Sequence, residues 1–176
     1  MTRDDVASLL ETHTPADAKE SADRHAMLEL LGRLAEPFSA QQPEAHFTAS
    51  ALVLDGARER TCLVLHRKLG LWLQPGGHIE PEDATLAHAA LREVREETGL
   101  AGLVDGRGPV HLDIHEIPKR SDRPAHLHLD VRFLVVADGV TLTLSEESTD
   151  ARWWPLDVVS SAGDESLARL IRAAAV

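Results

Sequence analysis

Three carboxylates, Glu93, Glu96 and Glu97, stand close together in the stretch Arg92-Glu93-Val94-Arg95-Glu96-Glu97-Thr98-Gly99-Leu100. Their i, i+3 and i+4 spacing sets them on one face of a helix, with Cβ atoms roughly 5 to 6 Å apart. Like charges at that separation cost a helix about a few tenths of a kcal/mol per pair, so something must offset the repulsion. A divalent cation would do so, and Mg²⁺ in particular is held by a few carboxylates together with substrate phosphates. A lone run of this kind is more often a solvated helix face built from good helix formers. The upstream residues Leu73-Gln74-Pro75-Gly76-Gly77-His78-Ile79-Glu80-Pro81-Glu82-Asp83 separate the two readings. Paired glycines permit close backbone approach, so a loop carbonyl can share a pocket with the acids.

Together these residues resemble the signature of the Nudix hydrolases: a glycine, five residues, a glutamate, seven residues, then Arg-Glu-U-x-Glu-Glu-x-Gly-U, with U aliphatic. Its second half is complete over Arg92 to Leu100, and Gly77 matches the leading glycine. Asp83 stands where the pattern has its first glutamate, and eight residues rather than seven separate it from Arg92. The added residue falls in the loop or first helical turn and leaves the 93/96/97 spacing intact.

The resemblance implies an α+β fold, an α/β/α sandwich around a mixed sheet, in residues 46–176. It also implies a Mg²⁺-dependent pyrophosphohydrolase, Mn²⁺ serving as a substitute, that cleaves a diphosphate linkage in a nucleoside diphosphate derivative. Gly77, Glu93, Glu96 and Glu97 would then hold metal, and Arg92 would orient a glutamate by an ion pair. Either Glu97 or a later loop acid such as Glu147 would take the proton of the attacking water, with Glu146 an alternative. A basic residue at Arg67 would meet a substrate phosphate. Two other readings compete. One is a ligand-sensing or partner-binding domain without turnover, and the other an isopentenyl diphosphate isomerase-like enzyme, which needs a reactive cysteine. Substrate subclass is not fixed: the chain has no tyrosine, which removes the mark of diadenosine polyphosphate specificity. The ADP-ribose-type proline and the coenzyme A pattern are unmatched too.

The helix carrying the acids is legible without the resemblance. Asp83 is expected as its N-cap and Gly99 as its left-handed C-terminal residue. Leu86, Ala87, Ala90, Leu91, Val94 and Thr98 form the expected buried stripe, with Glu93 and Glu97 at its edge and Arg95 away from it. Carboxylates at the edge of a core feel a lower dielectric and hold a cation more strongly.

Two more groups could do chemistry. His126, His128, Asp130 and Arg132 alternate with Leu127, Leu129, Val131 and Phe133, so a strand would send each set to its own face. Two histidines and an aspartate on one face can bind a transition metal, but a polar cavity wall beside the diphosphate is the better reading. His78, His126 and His128 are therefore expected to contact substrate, with His115 and Glu116 as neighbours. Cys62, the only cysteine, lies in Thr61-Cys62-Leu63-Val64-Leu65 and reads as a buried structural thiol.

The elements that position these groups follow from periodicity. Residues 4–12 and 15–35 read as helices, the second opened by Thr14 as N-cap and Pro15, and 37–43 as a linker. Residues 1–45 are thus expected to be a helical extension, or a dimerisation or lid element that would allow a homodimer. Residues 48–54 and 61–66 read as a hairpin, 110–117 and 127–136 as strands, and 141–144 and 152–154 as short strands. A terminal helix is expected at 164–174. The 176 residues carry 29 acidic and 18 basic side chains, a net charge of −11. That balance excludes bulk nucleic-acid or anionic-membrane binding and agrees with a small anionic substrate that enters with cations. No apolar run is long enough to span a bilayer and no signal-like start is visible, so a cytoplasmic location is expected.

Overall fold

The computed structural model describes residues 1–67, 69–119, 121, 123–144, 148–162 and 165–174, the side chains of Arg107, Ser160, Ser161 and Ala162 excepted. Its elements are α1 (Arg3–Thr12), α2 (Ala18–Arg33), β1 (Ala45–Leu54), β2 (Arg60–His66), β3 (Trp72–Leu73), β4 (Gly76–His78), α3 (Leu86–Thr98), β5 (Gly102–Ile117), β6 (His126–Ala137), β7 (Ser148–Pro155), α4 (Leu156–Ala162) and α5 (Glu165–Ala174). The strands form one mixed sheet in the order β3-β2-β1-β6-β5, with β4 added to β1 and β7 to β2. The β1–β6 pair is parallel and every other pair is antiparallel.

Strand β1 is buried along its whole length, so each of its faces must be covered. Ala45, Phe47 and Ala49 pack with Leu86, Ala89 and Ala90 of α3 and with Met27, Leu30 and Leu31 of α2. Farther along the same face, Ala51, Val53 and Cys62 meet Val94 of α3. On the opposite face Leu52, Leu54 and Leu134 pack under Val159 of α4 and Leu167, Leu170 and Ile171 of α5. The sheet is therefore sandwiched between helices, as expected from the sequence.

Helices α1 and α2 share the core of the sheet. Glu20 of α2, wholly buried, accepts hydrogen bonds from Ala16 N (2.6 Å) and Leu112 N of β5 (2.8 Å) and pairs with His13 Nε2 (2.7 Å). Arg3 donates to the carbonyls of Leu31, Leu34 and Ala35, satisfying the open end of α2. The N-cap of α2 is Asp17, which accepts from Glu20 N, and not Thr14: the helix opens at Ala18, beyond Pro15.

Residues 141–144 are not a strand. They pass as a loop beside the end of α3, where Thr143 N donates to Thr98 O (2.8 Å). Strand β7 is longer than its expected core at 152–154, and the terminal helical region divides into α4 and α5. Among the described residues no helix is long and apolar enough to cross a membrane.

Candidate functional site

Helix α3 opens with Thr85 as N-cap, its hydroxyl accepting from His88 N (3.0 Å), and closes on Gly99 at φ 71°. Asp83 is thus not the cap. Two residues earlier, its buried carboxylate accepts from Glu80 N and takes the guanidinium of Arg92. Burial works to raise Asp83, but the Arg92 and Glu80 hydrogen bonds outweigh it and hold the carboxyl below its usual range. The buried stripe of α3 is Leu86, Ala89, Ala90, Val94, Glu97 and Thr98. Ala89 joins the expected residues, while Ala87 and Leu91 flank the stripe, half-buried against the core. Glu97 is inside the stripe rather than at its edge.

Arg92 binds the loop to the acids. Its Nη2 donates to His78 O (2.8 Å) and to Asp83 Oδ2 (2.9 Å), and its Nη1 to Glu93 Oε1 (2.9 Å) and Glu96 Oε2 (3.0 Å). A planar fork with five N–H donors suits such a hub, and lysine would not.

Strand β4 lies antiparallel to residues Thr48–Ser50 of β1. A Cβ on Gly76 would fall 2.2 Å from Ser50 Cβ, and one on Gly77 would fall 2.5 Å from Glu93 Oε1. Both distances are inside van der Waals contact: at Gly76 the obstacle includes the β1 backbone, so packing requires glycine, whereas at Gly77 it is the tip of the Glu93 side chain, which a methyl group would displace. Glu97 Oε2 accepts from Gly76 N (3.1 Å). Two carboxylates of α3 are thus pressed on the glycine backbone, while the Glu96 side chain remains 55% exposed. The donors are all hard oxygen, and the space that a Gly77 side chain would fill borders a carboxylate. A hard divalent cation fits this donor set.

The next residue along β4 faces the other way. Gly77 is opposite Ala49 and His78 opposite Thr48, so the His78 ring lies on the sheet face away from α3. There it meets His46 (centroids 5.1 Å apart) and His128 (5.4 Å). His46 and His128 are partners in the parallel β1–β6 register, and His115 is the partner of His128 across β5–β6. His126 stacks on His46 at 5.2 Å, its Nδ1 on Pro124 O (3.0 Å). The other two residues of the alternating set serve differently from a cavity wall. Arg132, almost fully buried, donates to Asp130 (2.8 Å) and Asp113 (3.0 Å), and Asp130 also accepts from Thr48 and Ser50.

Arg67 is exposed on the turn after β2. Glu146 and Glu147 lie outside the described residues. Cys62 is fully buried, and burial, with the Glu97 charge, pushes its thiol up to about 12, which excludes it as a nucleophile. Trp72 and Trp154 pack edge to face (5.2 Å) at the rim of the core. Sequence reasoning missed His46, although polar His46, Thr48 and Ser50 alternate with Phe47 and Ala49 as visibly as the β6 set does.

The NUDIX domain family matches residues 44–174. The fold is similar to that of a NUDIX-family hydrolase from Clostridium perfringens (TM-score 0.58, 23% identity), covering 73% of this chain and 95% of that one. It also resembles a C. elegans Ap4A hydrolase solved as a binary complex (0.54, 17% identity), over 73% of this chain and 94% of that one. A third likeness is to the NUDIX domain of Shewanella oneidensis NrtR complexed with ADP ribose (0.53, 22% identity), over 84% and 95%. With its mixed sheet between helices and its glycine loop set against the α3 acids, this chain belongs to the NUDIX family of pyrophosphate-bond hydrolases.

Proposed function

We propose that the protein hydrolyses the diphosphate linkage of a nucleoside diphosphate derivative, using Mg²⁺, or Mn²⁺ in its place, at the α3 carboxylates. The observation that carries this reading is the contact between the Gly76-Gly77 backbone and Glu93 and Glu97, held by Arg92. Glu93, Glu96, Glu97 and the Gly77 carbonyl would be the metal ligands. When bound, the ion would supply Lewis-acid polarisation of a phosphoryl oxygen and neutralise charge on the leaving phosphate.

The chain's own residues would do the rest. Arg92 fixes the orientation of Glu93 and ties the loop to the helix through His78 O. Asp83 holds the far side of the same guanidinium. Glu97, or Glu147, would take the proton of the attacking water. Arg67 would pair with a substrate phosphate, a task suited to a guanidinium. His78, His126 and His128 would line the far wall of the substrate site. Residues 1–45 would be an extension that buttresses the domain.

The test is hydrolysis of a panel of nucleotide sugars, dinucleotides and nucleoside triphosphates with Mg²⁺. Glu97→Gln and Glu96→Gln are each expected to lower kcat by about 100-fold or more, the range of a lost acid–base or ligand group. Wild-type rates in both variants would overturn the assignment. ³¹P NMR of the products separates hydrolysis from isomerisation, since only hydrolysis releases new phosphate ends.

A further inference from the structure

The side of the sheet away from α3 carries a nitrogen cluster that supplies no ligand to the carboxylate site and whose part in hydrolysis would be limited to lining the far wall of the substrate site. His46, His78 and His128 each offer one ring nitrogen, and the three nitrogens lie within 4.8 Å of one another. We propose that these three histidines form a second cation site, selective for a borderline transition-metal ion such as Zn²⁺ and separate from the carboxylate site.

Donor chemistry is the first argument. Neutral imidazole suits Zn²⁺, Cu²⁺, Ni²⁺ and Fe²⁺, whereas Mg²⁺ demands oxygen. Three histidines with a remaining open position are a known arrangement for zinc. Nitrogens bound tetrahedrally at about 2.0–2.1 Å stand about 3.4 Å apart, so the rings must close by up to ~1.4 Å from the present limit. Rotation of the exposed His78 ring would have to supply part of that movement.

His46 supplies the second argument. Its ring is wholly buried, yet among the described residues its Nε2 has no hydrogen-bond partner. A buried polar atom left so costs about 1–3 kcal/mol, and a metal ion would satisfy it. The other ring nitrogen, Nδ1, is 3.4 Å from Arg123 Nη2, which also donates to the Gln42 carbonyl.

Burial and neighbouring imidazoles hold His46 down to about 4 and His128 lower still, so both rings are neutral ligands at physiological pH. His115 and His126 surround the cluster with their Nδ1 atoms engaged by Asp113 and by Pro124 O. They are positioned as support rather than as ligands. The three ligands grade from buried His46 through half-buried His128 to exposed His78, which leaves an entry path from solvent. Strand β4 divides the two sites, with Gly77 turned toward Glu93 and His78 toward the imidazoles.

Metal binding tests this without reference to turnover. Metal-free protein is saturated with Mg²⁺ to fill the oxygen site and titrated with Co²⁺, then with Zn²⁺ in competition. The expected result is one Co²⁺ per chain, with the intense visible bands of a low-coordinate nitrogen site, displaced by Zn²⁺ and not by Mg²⁺. His46→Asn and His78→Asn should each weaken binding by about 100-fold or more, since removing a ligand costs at least the roughly 10- to 100-fold that removing its supporting partner does. The His78 variant guards against misfolding, since this side chain is exposed, and thermal melts confirm that both variants fold. In Glu93→Gln/Glu97→Gln protein the Co²⁺ bands should persist, even where hydrolysis is lost, so failure of one site is distinguishable from failure of the other. Absence of the bands in wild type, their retention in both histidine variants, or their loss in the glutamate variant would overturn the proposal.

Discussion

At the scale of single residues, Arg92 and Gly77 carry the most weight. The guanidinium holds four partners on two segments that must stay in register: the His78 carbonyl and Asp83 before the helix, Glu93 and Glu96 within it. Replacing it by lysine keeps the charge and loses the fork. Arg92→Lys is therefore expected to raise the Mg²⁺ concentration needed for half-maximal hydrolysis by about 10- to 100-fold, the usual effect of losing a support to a metal ligand. A Mg²⁺ titration of the rate checks this, and an unchanged midpoint would reject the role. Gly77→Ala tests the neighbouring contact. A methyl group would meet the Glu93 carboxylate head-on. Because the obstacle is a side-chain tip, the fold should survive, with a melting temperature within a few degrees of wild type, while kcat falls by about 10-fold or more. A Gly77→Ala enzyme with full activity would show that Glu93 need not lie against the loop.

At the scale of elements, the acids on α3 were legible because helix periodicity is strict: any helix through 86–98 brings positions 93, 96 and 97 together. Its starting cap was not legible. Asp83 and Thr85 are both good caps, and only the ion pair that draws Asp83 to Arg92 decides between them. The imidazole cluster was half visible. His126 and His128 alternate on one strand, but His46 comes from another strand through a parallel register that sequence does not state. Glu20 had no signal at all, since a single acid in an amphipathic helix reads as surface. It instead joins the N-terminal helices to β5 through the Leu112 amide. Glu20→Gln keeps the shape but turns an NH₂ group toward these donors. The expected loss is about 2–3 kcal/mol of unfolding free energy, from buried donors left unsatisfied. Urea denaturation measures it, and a change within about 0.5 kcal/mol would mean that the tie contributes little.

At the scale of the whole molecule, the buried polar network makes stability depend on pH in two stages. Burial works to raise Asp113, but the His115 hydrogen bond and the charges of Arg132 and Lys19 outweigh it and hold the carboxyl far below its usual range. Burial likewise opposes Glu20, and its bonds from His13, Ala16 and Leu112 again hold it low. A carboxyl depressed in the folded state stabilises the protein above its unfolded pKa, and that contribution is lost as pH falls toward the folded value. His111 acts earlier. It is 1% exposed, and among the described residues neither ring nitrogen finds a partner. Burial and then the Arg132 charge bring it from 6.5 to about 4, against the pull of Glu20 and Asp113. Between those values the unfolded chain takes up a proton that the folded chain refuses, so stability falls as pH falls. For His111 alone the loss is on the order of 3 kcal/mol. The urea midpoint of the metal-free protein should therefore drop first between pH 6.5 and 4, and again below about pH 4 as the carboxyls protonate. His111→Leu removes the proton acceptor along with two unsatisfied nitrogens. It should make the first stage shallower and leave the second in place, and a wild-type midpoint that stays flat from pH 7 to about 4.5 would contradict the reading.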